Sequence, residues 1–361
     1  MTALLLIAGL VALLIGAEGL VRGASRLAAA TGLSPLVIGL TVVAFGTSAP
    51  ELAVGLDAVH RGSADIAIGN VVGSNITNVL LILGLSALVA PLVVSRQLVR
   101  LDVPVMIGCS VLVLLLAYNG TISRGEGVGL ALAAVVYLAW LIRIGRKGGD
   151  GGGDEGEDLA VEAPRTPARW AIDILMVLGG LGLLILGARW MVGAAVTIAQ
   201  ALGLSELVIG LTVIAVGTSL PEIATSVLAT IRGQRDLAVG NVVGSNVLNL
   251  LIVLGITAAF SPAGIPVGPA AIHFDLPVMV AVAVACLPIF FTGHCIQRWE
   301  GAVFLGYYVA YTAYLLLQAT HHDALPAFSA VMMYFVLPLT VLTLAAAVVR
   351  ALRDRRSGAC A

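Results

Sequence analysis

Two glutamates lie in the middle of long apolar segments, where an ionisable side chain is rare. Glu51 falls midway through residues 33–59, and Glu222 falls midway through residues 204–230. A charged side chain at the centre of a membrane helix costs roughly 2.5–3.5 kcal/mol on insertion scales, and such residues mark ion or proton pathways. Because no Lys or Arg lies deep in a predicted span to pair with them, we expect a bound cation to neutralise the two carboxylates.

The same motif, Gly-Thr-Ser-x-Pro-Glu, ends at each glutamate. A proline inside a helix removes a backbone donor and clashes with the carbonyl four residues earlier, so each motif predicts a broken helix. In a membrane such a break is tolerated only where the backbone is buried or lines a cavity. Freed carbonyls, hydroxyls and a carboxylate form an all-oxygen cage, which suits Na⁺ and Ca²⁺ rather than metals that prefer Cys or His. The candidate ligands in these motifs are Thr47, Ser48, Glu51, Thr218, Ser219 and Glu222.

A second motif, Gly-Asn-Val-Val-Gly-Ser-Asn, also occurs twice, at residues 69–75 and 240–246. Residues four apart share one face of a helix, so a Ser and an Asn from each copy project together. We expect them to complete the cage, and hydrogen bonding between helices is the alternative role. These four residues are Ser74, Asn78, Ser245 and Asn249. The glycines at 69, 73, 240 and 244 predict close helix packing.

Charge counting limits the mechanism. One Ca²⁺ neutralises two carboxylates, and two or three Na⁺ can do the same with hydroxyl and carbonyl ligands. Competition of two ions for shared carboxylates is a direct physical basis for antiport. The net charge of −1 gives no indication of a nucleic-acid partner, and the four cysteines show no CxxC or zinc-like spacing.

The composition requires a membrane protein, because 60% of the residues are hydrophobic and only 11% are charged. A soluble protein of this length needs a larger charged surface. A membrane helix needs roughly 20 mostly apolar residues. The apolar runs predict an all-α polytopic protein with eleven spans, near 2–22, 33–59, 65–92, 100–118, 124–143, 170–192, 204–230, 236–260, 271–292, 298–318 and 326–350.

The positions of Lys and Arg predict the orientation, since cytoplasmic loops carry the excess. With the N-terminus outside, sixteen of the nineteen Lys and Arg fall on the inside, and only Arg61, Arg124 and Arg189 fall outside. We therefore expect an integral protein of the plasma (inner) membrane with the N-terminus outside and the C-terminus in the cytoplasm.

The chain contains an internal repeat. Residues 36–51 and residues 207–222 agree at thirteen of sixteen positions, at an offset of 171, and the same offset superimposes the two Gly-Asn-Val-Val-Gly-Ser-Asn motifs. Each copy covers about five spans. Five is odd, so the second copy enters the membrane from the opposite side. In inverted repeats of this kind, the substrate site lies near the midplane between the copies.

The repeat predicts the domain organisation. Residues 1–144 form the first five-helix repeat, and residues 170–320 form the second. Between them, residues 145–169 read as a flexible acidic cytoplasmic linker, although its carboxylates leave weak regulatory calcium binding as an alternative. Residues 321–361 add an eleventh helix and a basic cytoplasmic tail, which we expect to be peripheral.

The paired motifs resemble the α-repeats of the sodium/calcium exchanger branch of the calcium/cation antiporters, over roughly residues 1–318. The resemblance implies a ten-helix inverted-repeat core that exchanges Na⁺ for Ca²⁺ by alternating access, without a cofactor, and no protein partner is evident. It also implies two further ligands, the backbone carbonyls of Ala44 and Ala215. Asn249 departs from members that carry aspartate there, including the potassium-dependent branch, which weakens a case for K⁺ co-transport.

Three other interpretations stay open from the sequence. A glutamate in a low dielectric can carry a proton, so a proton-coupled cation antiporter is the main alternative. An intramembrane enzyme would use Ser48 or Ser219 as nucleophile, but no His or Lys lies near either serine in the sequence to act as base. A membrane scaffold would not explain polar motifs at mid-span in both halves. We expect a transporter and not an enzyme.

Overall fold

The computed structural model describes residues 2–148, 166–203, 213, 215–291, 294–343, 345 and 349. In this part of the chain ten helices are long and apolar enough to cross a membrane, and a shorter apolar helix forms the described part of the seventh predicted span. We number them α1 Thr2–Thr31, α2 Pro35–His60, α3 Ile66–Val89, α4 Leu98–Ala117, α5 Arg124–Arg146, α6 Pro167–Ala201, α7 Leu220–Ile231, α8 Arg235–Phe260, α9 Ala271–Phe291, α10 Arg298–Ala319 and α11 Leu325–Thr343.

The predicted eleventh span is confirmed as a helix by α11. Residues 204–212, at the start of the predicted seventh span, lie outside the described residues. So do residues 149–165 of the predicted linker. The helix that contains α5 continues to Gly148, and α6 begins at Pro167, so helical structure extends further than the apolar runs alone indicate.

Helix α2 is interrupted, and α7 is preceded by a break, where the proline motifs predict it. In α2 the helical segment Ala44–Thr47 ends, Ser48 lies outside the helix at φ −80° and ψ 3°, and a new segment begins at Ala49. In the second copy the segment Ala215–Thr218 is followed by Ser219 at φ −86° and ψ 5°, and α7 begins at Leu220. The proline stands at the second position of each new segment, where its missing N–H has no partner to lose.

Short π-helical segments occur at matching places in the two copies. Asn78–Leu83 lies in α3 and Asn249–Val253 in α8, while Leu98–Asp102 begins α4 and Ala271–Asp275 begins α9. Two further segments are Gly39–Val43 in α2 and Met332–Val336 in α11. The first two begin at the asparagines of the predicted cage. Because π-bulges are frequent at functional sites, their position agrees with the motif analysis.

Glycines bring the helices into backbone contact. A methyl group placed on Gly16 of α1 would lie 2.8 Å from the carbonyl oxygen of Gly180 of α6, and one on Gly180 would lie 2.7 Å from that of Gly16. In the same way Gly244 of α8 lies against Leu40 of α2, with 2.7 Å from a placed methyl to the Leu40 oxygen. The predicted small-residue packing is confirmed for the glycines of the second copy. The positions that the repeat places opposite Gly69 and Gly73 lie outside the described residues.

Two small antiparallel ladders join the copies. They use the strands β1 Leu92–Val93, β2 Thr121–Ile122, β3 Ile265–Pro266 and β4 Cys295–Ile296, with β1 paired to β4 and β2 paired to β3. Since β3 and β4 are the repeat counterparts of β1 and β2, each ladder pairs one copy with the other. The two copies are therefore joined by backbone hydrogen bonds at two places that the repeat relates to each other.

An arginine reinforces each ladder. Arg124 Nε at the start of α5 donates to the carbonyl of Ala259 near the end of α8, at 3.1 Å. Its repeat counterpart Arg298, at the start of α10, donates to the carbonyl of Val89 at the end of α3, at 3.2 Å. The last carbonyls of a helix lack intrahelical partners, and a cation is favourable at that end. Each arginine therefore closes a helix end of the opposite copy.

Helices α3 and α8 lie at the centre of the molecule and are largely buried, whereas the described part of α11 has no buried residue. Tyr307 of α10 donates to Thr340 of α11 at 2.5 Å, which fixes α11 to the outside of the bundle. This position agrees with the expectation of a peripheral helix.

Candidate cation site

The two glutamates are buried at equivalent places. Glu51 and Glu222 are each 1% exposed, and each follows the break of its helix by three residues. Ser74 Oγ donates to Glu51 Oε1 at 3.5 Å. The other oxygen of Glu51 and both oxygens of Glu222 receive no hydrogen bond within the described structure.

Each carboxylate lies beside the motif of the opposite copy. The Thr218 hydroxyl is within interaction range of Glu51, and Thr47 and Ser48 are within range of Glu222. The two carboxylates are also close enough to repel each other electrostatically. Thus the residues of the two helix breaks come together between the copies rather than lying in two separate groups.

Contacts of Thr47 extend this site to α8. Its hydroxyl lies 3.5 Å from Ser245 Oγ and donates to Asn241 Oδ1 at 3.2 Å. Asn241 in turn donates from Nδ2 to Ser226 Oγ of α7 at 2.9 Å. The structure therefore places the predicted Ser245 directly against the first helix break.

Asn78 and Asn249 are held by a second pair of asparagines. Asn78 Nδ2 donates to Asn246 Oδ1 at 3.0 Å, and Asn249 Nδ2 donates to Asn75 Oδ1 at 3.2 Å. Asn75 Nδ2 also donates to the backbone carbonyl of Asn246 at 3.1 Å. Because Asn75 and Asn246 are repeat counterparts, α3 and α8 exchange related hydrogen bonds. The first two bonds fix the nitrogens of Asn78 and Asn249, and no described residue donates to the buried amide oxygens of these two side chains.

Seven of the thirteen buried side-chain oxygens without a hydrogen-bond partner in the described structure belong to the predicted cage. These seven are Ser48 Oγ, Glu51 Oε2, Asn78 Oδ1, Ser219 Oγ, Glu222 Oε1, Glu222 Oε2 and Asn249 Oδ1. Burial of a carboxylate without compensation is costly, and a cation compensates it. The atoms gathered here are carboxylate, hydroxyl and amide oxygens, which are hard donors.

The structure describes the surroundings of the Ala44 carbonyl, one of the two predicted backbone ligands, more fully than those of the Ala215 carbonyl. The Ala44 carbonyl accepts a hydrogen bond from the Ser48 N–H at 3.1 Å, and Thr47 Oγ1 lies 3.4 Å from it. It is therefore hydrogen-bonded in this conformation and is not one of the unpartnered acceptors. Ala215 is the first residue of the helical segment Ala215–Thr218, and the residue before it lies outside the description.

The spacing of the motifs alone does not indicate a role for Asn75, Asn246 or Asn241. All three are buried and join the copies through side-chain hydrogen bonds. A signal was available, because each is an invariant asparagine of the duplicated Gly-Asn-Val-Val-Gly-Ser-Asn motif. Their partners could not be read from the sequence, since they come from the opposite copy.

The chain matches known proteins along nearly its whole length. The family model described as "Sodium/calcium exchanger protein" matches residues 1–143 and 172–317, and the gap between them falls on the acidic linker. The chain is 38% identical to the putative antiporter CaxA of Alkalimonas amylolytica over 86% of this chain and 97% of that protein. It is 34% identical to the sodium/calcium exchanger MaX1 of Methanosarcina acetivorans, again over 86% and 97%.

The fold matches solved structures as well. Structures of the sodium-calcium exchanger NCX_Mj superimpose with a TM-score of 0.74 at 30% identity, covering 87% of this chain and 98% of that one. The same exchanger under another soaking condition superimposes equally well, with 97% of its length covered. With the family model spanning both repeats, this integral membrane chain belongs to the sodium/calcium exchanger family of cation antiporters.

Proposed function

We propose that this antiporter exchanges Na⁺ for Ca²⁺ at one site at the membrane midplane, with Glu51 and Glu222 as its two fixed charges. The observation that carries the proposal is the set of unpartnered buried oxygens, above all three of the four carboxylate oxygens. The repeat supplies both glutamates from equivalent positions. A role in helix packing could account for one buried glutamate, but it does not account for two at equivalent places. The relatives' names support the choice of ions.

The proposed ligand set has six contributors from each copy. The carboxylates provide a charge of −2, which one Ca²⁺ neutralises. The hydroxyls and amide oxygens complete the coordination, for which Ca²⁺ takes 6–8 oxygens at about 2.3–2.6 Å. The proposed contributors are the side chains of Thr47, Ser48, Glu51, Ser74, Asn78, Thr218, Ser219, Glu222, Ser245 and Asn249, with the carbonyls of Ala44 and Ala215.

Exchange follows from sharing of these oxygens. Na⁺ also prefers oxygen ligands but carries half the charge of Ca²⁺, so two or three Na⁺ replace one Ca²⁺. Both ions need the same carboxylates, and occupation by one excludes the other. Inverted repeats give two related conformations that expose the site to opposite sides, so each side can load its own ion. Asn75 and Asn246 act in this proposal as positioning residues, because they fix the amide orientation of Asn249 and Asn78.

Proton coupling is the second candidate, because a buried carboxylate can carry a proton. Purified protein in liposomes separates the two functions. With Ca²⁺ outside, an outward Na⁺ gradient should drive uptake, and an outward proton gradient of equal size should not. If an outward proton gradient alone drives Ca²⁺ uptake, the protein is a proton-coupled antiporter that uses the same two glutamates. Repeating the assay with and without K⁺ tests the effect of asparagine at position 249.

We further propose the domain organisation that the repeat predicts, with five-helix copies at residues 1–144 and 170–320, the linker at 145–169, and the extra helix and tail at 321–361. The orientation proposed is N-terminus outside and C-terminus cytoplasmic, in the plasma (inner) membrane. Support comes from the Lys and Arg distribution and from the ladders that pair strands of opposite copies. The cargo ions and the lipid bilayer are the only partners proposed.

A further inference from the structure

A basic pocket lies away from the candidate cation site, where α4 begins and α9 ends. Its volume is about 340 Å³, and it is lined by Arg96, Val99, Arg100, Phe291 and His294. Among the residues that the structure describes, the lining contains two arginines and a histidine but no Asp or Glu. From its position and charge we propose that this pocket binds the phosphate headgroup of an anionic phospholipid.

The arginines are arranged for an anion. Arg96 and Arg100 are four residues apart, so they lie on one face of the chain where it enters α4, and like charges at this spacing repel. Both are exposed, and neither forms an ion pair with any residue that the structure describes. A bound anion removes their repulsion. Arg suits this role because its planar guanidinium binds phosphate oxygens in pairs.

The acid nearest in sequence does not supply that anion. Asp102 is 0% exposed and accepts a hydrogen bond from Gln97 Nε2 at 3.3 Å, so its carboxylate is turned into the protein. The charge of the two arginines is therefore left for a ligand from outside the bundle.

Depth in the membrane favours a lipid over a soluble anion. The apolar span α4 begins at Leu98 and the apolar span α9 ends at Phe291, so the pocket lies at the level where hydrocarbon gives way to headgroups. Val99 and Phe291 supply an apolar wall beside the charges. A phospholipid matches both, with its phosphate at the arginines and its glycerol and acyl carbons along that wall.

The pocket is specific to one face. The repeat counterparts of Arg96 and Arg100 are Pro269 and His273, so the opposite face does not carry the arginine pair. In the proposed orientation the pocket faces the cytoplasm, where anionic lipid attracts basic residues at the surface. Beside the pocket, Val94 N–H donates to the His294 carbonyl at 2.8 Å, next to the ladder of β1 and β4. A bound lipid would thus contact both copies of the repeat.

Native mass spectrometry of the purified full chain tests the proposal. Protein in mixed micelles of phosphatidylglycerol and phosphatidylcholine should retain phosphatidylglycerol in preference. The double variant Arg96→Gln with Arg100→Gln should bind it about thirtyfold more weakly, which corresponds to ~2 kcal/mol for two arginines near a lipid surface. The control, Arg61→Gln with Arg189→Gln, removes two exposed arginines assigned to the opposite face and should keep the preference.

Three results would overturn the proposal. The first is wild-type protein that retains both lipids equally. The second is a double variant that matches wild type, or a control that loses as much binding. The third is displacement of phosphatidylglycerol by an equal concentration of inorganic phosphate, which would make this a site for soluble anions. Because lipid binding is measured without ion flux, the result is independent of the proposed exchange.

Discussion

Replacement of Glu51 by Gln removes one of the two charges of the candidate site and little else. The side chain keeps its size, and its amide oxygen can still accept the hydrogen bond from Ser74 that reaches Glu51 Oε1 at 3.5 Å. The carbonyl of residue 51, which accepts from Asn70 Nδ2 at 3.3 Å, is unchanged. The variant therefore tests charge rather than packing.

The magnitude follows from charge neutrality. In the proposed site, one Ca²⁺ and two carboxylates sum to zero charge, whereas Glu51→Gln would leave a net charge of +1 at a residue that is 1% exposed. An uncompensated charge at the centre of a membrane helix costs roughly 2.5–3.5 kcal/mol. At 1.4 kcal/mol per factor of ten, we expect Ca²⁺ binding to weaken by about two orders of magnitude.

The assay is Na⁺-driven uptake of Ca²⁺ into proteoliposomes, with direct Ca²⁺ titration of purified protein by calorimetry. A matched control is Asp57→Asn, which removes a carboxylate from the same helical segment as Glu51. The Asp57 side chain is 56% exposed and, among the described residues, pairs with Arg61 at the surface, at 2.8 Å. Since exposed ion pairs contribute little, this variant should transport normally.

Normal uptake by Glu51→Gln, in protein shown to be inserted and folded, would refute the assignment of Glu51 as a ligand. Equal losses in Glu51→Gln and Asp57→Asn would also refute the reasoning, because they would point to general damage. Glu222→Gln should behave as Glu51→Gln does, since the repeat places the two glutamates equivalently.

Three further predictions concern the scaffold and the topology. Gly244→Ala should lower stability by about 1–3 kcal/mol in thermal unfolding, because the added methyl would lie 2.7 Å from the backbone of Leu40. Arg298→Gln should cost about 1 kcal/mol in the same measurement, because the carbonyl of Val89 loses its donor. A reporter fused after Arg356 should give a cytoplasmic signal.

Each of these has a defined contrary outcome. Gly129→Ala is the control for Gly244→Ala, since Gly129 is exposed and no described atom lies within 4 Å of a methyl placed there; equal effects of the two would reject close packing. Arg298→Gln unfolding at the wild-type temperature would mean that the arginine does not hold α3. An external reporter signal would reverse the proposed topology or remove the last span.

The linear sequence determined the features that depend on local chemistry and repetition. Apolar length placed the membrane helices, because a span must satisfy its own backbone and cover the hydrocarbon with side chains. The proline motifs located the breaks, which the structure places at Ser48 and Ser219. The odd number of spans in each copy implied inversion. These conclusions need only residues close in the chain, or one copy compared with another.

Tertiary structure decided which residues meet. Asn75 and Asn249 are 174 positions apart, and Thr47 and Ser245 are 198 apart, yet both pairs are in contact. The sequence of a duplicated motif does not indicate whether its residues contact each other within one copy or across the two copies. Here they pair across, because glycines let α2 and α8 approach at backbone distance and bring the two copies together at the glutamates. The sequence predicted that two carboxylates are buried, and only the packing of the copies brought each beside the motif of the other copy.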